Sequence, residues 1–316
     1  MSSIINSGNL KFVAYITITI LSVLSLSALL SCAEVDEIGD VKWSFVVCSD
    51  NRGSNPAHRA ALTSIAKIKP DVILNLGDIV FRLEDYGTVA SFRKDVEECY
   101  GNFDSFLKIF YPSIGGHDER YYNQSKYPPD GREPDNEAGR KFYDEVKLQE
   151  RITEFNDECG DYYFSHKGVH FIMLYRSDEW EFQDGQVSWL KSILEKINGD
   201  GPVIVTGHAG MWFYPISGNQ KEIVKLLREH NVDIALAADF HDYYVEEYSN
   251  MLMFRSGSLG YGDAIFIRFD VTDKGFIIKA FEPDGITLFT KRKDVDGNVM
   301  HPHWVKKFGE PGQKMP

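Results

Sequence analysis

The chain has 316 residues, 43% hydrophobic and 13% aromatic, which is enough apolar material for a full core and argues against global disorder. Its formal net charge of -13 speaks against nucleic acid as a partner, because a binder needs clustered Lys and Arg to neutralise phosphates. A nucleotide or another small phosphoester remains compatible with that charge.

In chain order, Phe12 to Leu30 is apolar, with Lys11 the nearest charge before it and Ser31-Cys32 after it. This reads as a secretory signal. Leu29-Leu30-Ser31-Cys32 is similar to the lipobox of bacterial lipoproteins, whose Cys is acylated. The run also approaches the ~20 apolar residues that span a bilayer, so an uncleaved anchor is the second reading. Either places the remainder outside the cytoplasm and tethered to a membrane.

The run Trp43 to Cys48 reads as a buried strand ending in Ser49-Asp50. Ser54 or Asn55 can cap a helix with Pro56 in its first turn. Asp71 to Leu76 is a second strand, ended by Gly77-Asp78, so the two form a β-α-β unit with parallel strands. Residues 89–110 predict one or two helices. Phe110 to Ile114 ends in Gly115-Gly116-His117-Asp118.

Residues 119–160 form a long polar insertion, of the sort that is a functional or disordered loop. Tyr162–Ser165 and Val169–Tyr175 flank a turn as a hairpin. In it His170 is a packed strand residue. A helix over 187–197 and a strand from Pro202 lead to Gly207-His208, and a further helix and strand lead to Asp239-Phe240-His241. Tyr244 to Phe281 alternates in short strands, and 287–316 reads as one strand and an irregular tail. Cys48 is a small core residue. Cys99 and Cys159 are candidates for a disulfide in an oxidising compartment.

Five apolar runs thus end in Asp or His, and ligands of α/β sheets collect beyond the carboxyl ends of strands. Each alone could be an ordinary turn, where Gly and Asp are common. Together they nominate Asp50, Asp78, His117, His208 and His241, with Asp239 a sixth member, as a metal or acid/base centre. Carboxylate and imidazole donors suit Zn, Fe or Mn.

This pattern resembles the calcineurin-like metallophosphoesterases, from about Val41 to Phe281, and within them the purple-acid-phosphatase-like branch. The family's Asp-x-His corresponds to Asp50-Asn51-Arg52 and its Gly-Asp to Gly77-Asp78. Its Gly-Asn-His-Asp corresponds to Gly115-Gly116-His117-Asp118, its Gly-His to Gly207-His208, and its Gly-His-x-His to Ala238-Asp239-Phe240-His241. The metal-binding Tyr of purple acid phosphatases falls at Phe81, which has no ligand atom. The resemblance implies a four-layer α/β/β/α sandwich, two mixed sheets flanked by helices. It divides the chain into a signal peptide or anchor (1–31), a tether (32–40), the phosphoesterase domain (41–285) and a C-terminal tail (286–316).

Carried over residue by residue, it gives a first ion Asp50, Asp78 and His241. A second takes Asp78 and His208, and Asp239 if that carboxylate reaches it. Three family ligands are replaced, by Arg52, Gly116 and Asp239. In one reading a single ion remains, Arg52 clamps the phosphate and His117 is the general acid. In the other, Arg52 and Asp239 pair where an ion would sit and catalysis is lost. The expected function is metal-dependent hydrolysis of a phosphoester with one or two Mn, Fe or Zn ions. The alternative is a non-catalytic, membrane-tethered binding protein.

Overall fold

A computed structural model describes residues 38–79, 90–119, 142–175, 182–209, 218–289, 301–308, 310 and 312–314. The leader and Cys32, Phe81, and residues 120–141 of the insertion lie outside the described residues. Among the described residues no helix is long and apolar enough to cross a membrane.

The first sheet begins with β1 (Trp43–Cys48), all six residues buried, and β2 (Val72–Asn75), all four buried. They pair in parallel, Phe45 with Val72 through Cys48 with Asn75. Helix α1 (Pro56–Ile68) makes the crossover. Its start is as the sequence predicts: the Asn55 side chain accepts a hydrogen bond from the His58 amide at 3.0 Å, and Pro56 opens the first turn. Two helices follow, α2 (Ala90–Cys99) and α3 (Phe103–Leu107), then β3 (Phe110–Pro112), parallel to β2. A single turn of helix, α4 (Gly116–Glu119), carries His117.

The second sheet opens with β4 (Glu154–Phe155), then the expected hairpin β5 (Tyr162–His166) and β6 (Val169–Leu174). After α5 (Asp184–Ile197) comes β7 (Val203–Ala209), and after α6 (Gly218–Glu229) comes β8 (Ile234–Ala238). Both crossovers return parallel strands. β9 (Tyr243–Tyr248) and β10 (Met251–Ser256) complete it, in the order β4-β5-β6-β7-β8-β10-β9. The chain then rejoins the first sheet through β11 (Phe266–Val271) and β12 (Gly275–Phe281), which lie next to β1 in the order β12-β11-β1-β2-β3.

The two sheets face each other across one aromatic-rich core. Phe45 of β1 meets Phe171 of β6 edge-on at 5.4 Å between ring centres, and Tyr111 of β3 stacks on Phe164 of β5 at 3.7 Å. Apolar faces of α5 and α6, including Leu190, Ile193, Ile223 and Leu227, cover the outer side of the second sheet. This is the two-sheet sandwich flanked by helices that the resemblance implies.

Three expectations change. Cys99 and Cys159 are not joined; the Cys159 thiol lies 3.5 Å from Gln183 Oε1. The described end of the polar insertion is not a loop on the surface, because Phe142, Tyr143, Val146 and Leu148 are buried in the main core. The tail after residue 300 supplies two strands rather than one, β13 (His303–Lys307) and β14 (Gly312–Lys314), extending the first sheet beyond β12.

Candidate metal centre

The parallel strands of both sheets present their carboxyl ends to one rim. Beyond β1 and β2 the chain stays in register: the amide of Asp50 donates to Gly77 O at 3.0 Å, that of Arg52 to Asp78 O at 2.9 Å. The turns bearing Asp50 and Asp78 are therefore fixed to each other. His208 arrives from the second sheet through a break in pairing. Thr206 pairs with Leu236 but Ala209 with Ala238, so β7 holds one extra residue at Gly207-His208. Such a bulge re-aims a side chain, here toward the rim.

Asp50, Arg52, Asp78, Asp239 and His241 all have positive φ, between 44° and 67°. Left-handed backbone is uncommon for residues with a Cβ, and its clustering marks strained, functional loops. The strain is held by packing of backbone on backbone. A Cβ on Gly115 would overlap Asp78 Oδ1 and lie 2.5 Å from the Asp78 amide nitrogen.

Four buried or half-buried groups converge on Asp78. Its Oδ1 accepts a hydrogen bond from the His117 amide at 2.8 Å and lies 3.2 Å from His208 Nε2. Its Oδ2 accepts from Arg52 Nη2 at 3.2 Å and is 3.9 Å from His117 Nε2. Burial opposes ionisation of this carboxyl, but the neighbouring imidazoles of His208 and His117 and the hydrogen bond from the His117 amide outweigh it and hold its pKa well below the usual range.

Two groups of donors result, each with its ligand atoms within 4.8 Å of one another: Asp50, Asp78 and His241, and Asp78, His208 and Asp239. Asp78 belongs to both, as a carboxylate shared by two ions must. The groups differ in what fills them. In the first, Arg52 Nη2 lies 2.9 Å from His241 Nε2. A guanidinium only donates, so this nitrogen offers its lone pair to Arg52. Asp50 Oδ1, 3.2 Å from the same nitrogen, is buried without a hydrogen-bond partner.

In the second group the His208 Nδ1–H donates to Leu76 O at 2.8 Å, which leaves Nε2 with the lone pair. That buried Nε2 has no hydrogen-bond partner and faces Asp78 Oδ1 at 3.2 Å and Asp239 Oδ1 at 3.6 Å. A lone pair turned on two carboxylates requires a positive charge between them, a proton or a metal ion. Burial resists the charge, yet Asp78, Asp239 and Asp50 outweigh it and raise the imidazole pKa well above its ordinary value. The orphaned nitrogen and the N/O donor set fit a divalent cation.

All seven residues nominated from sequence, Asp50, Arg52, Asp78, His117, His208, Asp239 and His241, meet at this rim. Their supports were not legible. Asp118, the last residue of the Gly115–Asp118 turn, accepts from the amides of Ile79 and Gly115, both at 2.9 Å, and so clips the Asp78 turn to the His117 turn. Asn75 donates to Asn51 at 3.0 Å, and Asn51 in turn to Ile79 O at 2.6 Å. Tyr261 lies against Arg52 and His241 from a loop whose sequence gives no sign of a site.

Two mixed sheets with carboxylates and imidazoles gathered at their joined carboxyl ends define a metallophosphoesterase-like protein. The chain belongs to the calcineurin-like phosphoesterase family, whose model matches residues 44–243. Among solved structures it is similar to purple acid phosphatase PPD1 from yellow lupin (Lupinus luteus) seeds, at a TM-score of 0.57 and 11% identity over 79% of this chain. It spans 53% of that phosphatase, about half its length. It is also similar to GAP50, the anchor in the inner membrane complex of Plasmodium, at a TM-score of 0.53 and 13% identity, covering 87% of this chain and 89% of that one. No curated protein sequence matches it.

Proposed function

We propose that this protein hydrolyses a phosphoester with a single divalent ion held by Asp78, His208 and Asp239, while Arg52 stands where a second ion would sit. The observation that carries the reading is the asymmetry of the two donor groups about Asp78. One has a buried imidazole lone pair with no hydrogen-bond partner; in the other the lone pair accepts from a guanidinium. When bound, a divalent ion supplies Lewis acidity and draws the pKa of a water toward about 7.

The chain's own residues do the rest. Arg52, its side chain 14% exposed, offers its remaining N–H donors to phosphate oxygens. Asp78 and His241 orient its guanidinium, and Asp50 lies behind His241. His117, with its ring 24% exposed and its backbone tied to Asp78, holds the proton for the leaving oxygen.

Metal analysis of the protein loaded with Mn, Fe or Zn, with turnover of a generic aryl phosphate, tests the proposal. One ion per chain is expected, with His208→Ala losing both ion and turnover. Arg52→His should move the stoichiometry toward two. Absence of both stoichiometric metal and turnover overturns the reading. It leaves the non-catalytic, tethered binding protein, which the placement of Arg52 inside the first donor group favours.

We further propose an extracytoplasmic, membrane-tethered location, on the strength of the apolar run before Cys32. Cell fractionation should find the full chain with membranes and Cys32→Ser released from them. Membrane retention of Cys32→Ser would favour the uncleaved anchor instead.

A further inference from the structure

The loop from Gly257 to Asp263, between β10 and β11, lies flat on the two turns that carry Asp50 and His241. Ser258 Oγ donates to Asp50 O at 3.0 Å and accepts from the amides of Gly260 and Tyr261 at 3.0 and 2.9 Å. The Asp263 amide donates to His241 O at 2.9 Å. Glycine is required on both sides of Tyr261. A Cβ on Gly260 would stand 2.7 Å from Asp50 O, and one on Gly262, at φ +63°, would overlap His241 O.

This construction raises one side chain over the site. The Tyr261 ring lies nearly parallel to that of His241, at 24° and 5.9 Å between centres, and 5.1 Å from the Arg52 guanidinium carbon. It is 50% exposed, where aromatic side chains elsewhere in the described residues are mostly buried. Phe240, between Asp239 and His241, is also exposed, at 41%. A rim built to grip only the phosphate would have no use for an exposed ring beside its cationic clamp.

We infer that Tyr261 is a specificity-determining residue whose open face stacks on an aromatic ring of the alcohol esterified to the phosphate, an aryl group or a nucleoside's base, while Arg52 holds the phosphate itself. The substrate class is then a phosphoester whose alcohol carries an aromatic ring or base, rather than one of a simple aliphatic alcohol. The inference rests on the phosphoesterase reading and adds to it the nature of the leaving group. Stacking of an aromatic group on such a ring is worth about tenfold in affinity.

The test is equilibrium binding by calorimetry, which needs no turnover. The Mn-loaded full chain is titrated with phenylphosphonate, adenosine 5′-phosphonate and methylphosphonate. Phenylphosphonate is expected to bind about tenfold more tightly than methylphosphonate. The nucleoside arm shows whether a base serves as well as a simple ring. Tyr261→Leu should remove the preference and leave methylphosphonate within about twofold, and Tyr261→Phe should keep it.

Equal binding of phenylphosphonate and methylphosphonate by the wild type overturns the inference alone. Equal weakening of both ligands in Tyr261→Leu also overturns it, because the ring then serves only to position Arg52. Failure of the wild type to bind any phosphonate overturns the phosphoester reading with it, so the two failures are distinct.

Discussion

Gly115 shows how little room the centre leaves at the scale of one residue. Its backbone passes so close to Asp78 that a methyl group would overlap the carboxylate, and would stand 2.7 Å from Cε1 of His208. Both neighbours are fully buried, and neither is the free end of a flexible chain. Gly115→Ala should therefore displace the shared carboxylate and the imidazole together. Overpacking of this kind costs about 1–3 kcal/mol, read as a lower urea midpoint, and metal occupancy should fall with it. Gly218→Ala is the control, since a Cβ there meets nothing within 4 Å. A Gly115→Ala protein with wild-type midpoint and metal content would show that the turn yields and that the close approach does not position Asp78.

At the scale of elements, the strand-ending residues were the most legible part. Strands buried on both faces read as continuous apolar runs, and parallel strands deliver the residues just beyond them to one edge. That is why Asp50, Asp78, His117, His208 and His241 could be nominated from sequence. Pairing across the sandwich left no such trace. The bulge that turns His208 inward depends on one extra residue in β7 against β8, which apolar periodicity does not encode.

The tail departs from its expected single strand for a related reason. The charged run in β13 is polar by composition, yet Lys306 is fully buried. Its ammonium reaches Asp233 of the second sheet at 3.3 Å and the backbone oxygen of Lys307 at 3.1 Å. Burial lowers its pKa, and the Asp233 charge opposes that. A buried ion pair between distant segments looks, in sequence, like two solvated charges. Gly260 and Gly262 carry no sequence sign of this either, yet they let a loop lie on the Asp50 and His241 turns.

Across the whole molecule, one buried carboxylate outside the metal centre couples the second sheet to its helix layer. Asp161, fully buried just before β5, accepts from the Tyr175 amide and Gln186 Nε2, both at 2.8 Å, and from Asn156 Nδ2 at 3.0 Å. It thus joins the ends of β5 and β6 to the first turn of α5. Burial raises its pKa from 3.8 to about 6, since three neutral donors compensate only part of the lost hydration.

Between those two values the folded chain keeps a proton that the unfolded chain has released, so raising the pH favours unfolding. The contribution is fully present below pH 3.8 and is lost as pH rises through about 6, amounting to about 3 kcal/mol. In Asp161→Asn the amide oxygen can keep the Tyr175 and Gln186 bonds, while the amide nitrogen faces Asn156 and forfeits the third. That lost bond costs about 1 kcal/mol at every pH, whereas the ionisation penalty disappears. Urea unfolding of both proteins at intervals from pH 4 to 7 separates the two effects. The variant should gain on the wild type as pH rises to 6 and hold a constant lead above it. A difference that stays flat over that range would mean that Asp161 ionises in the folded protein as easily as in the unfolded chain.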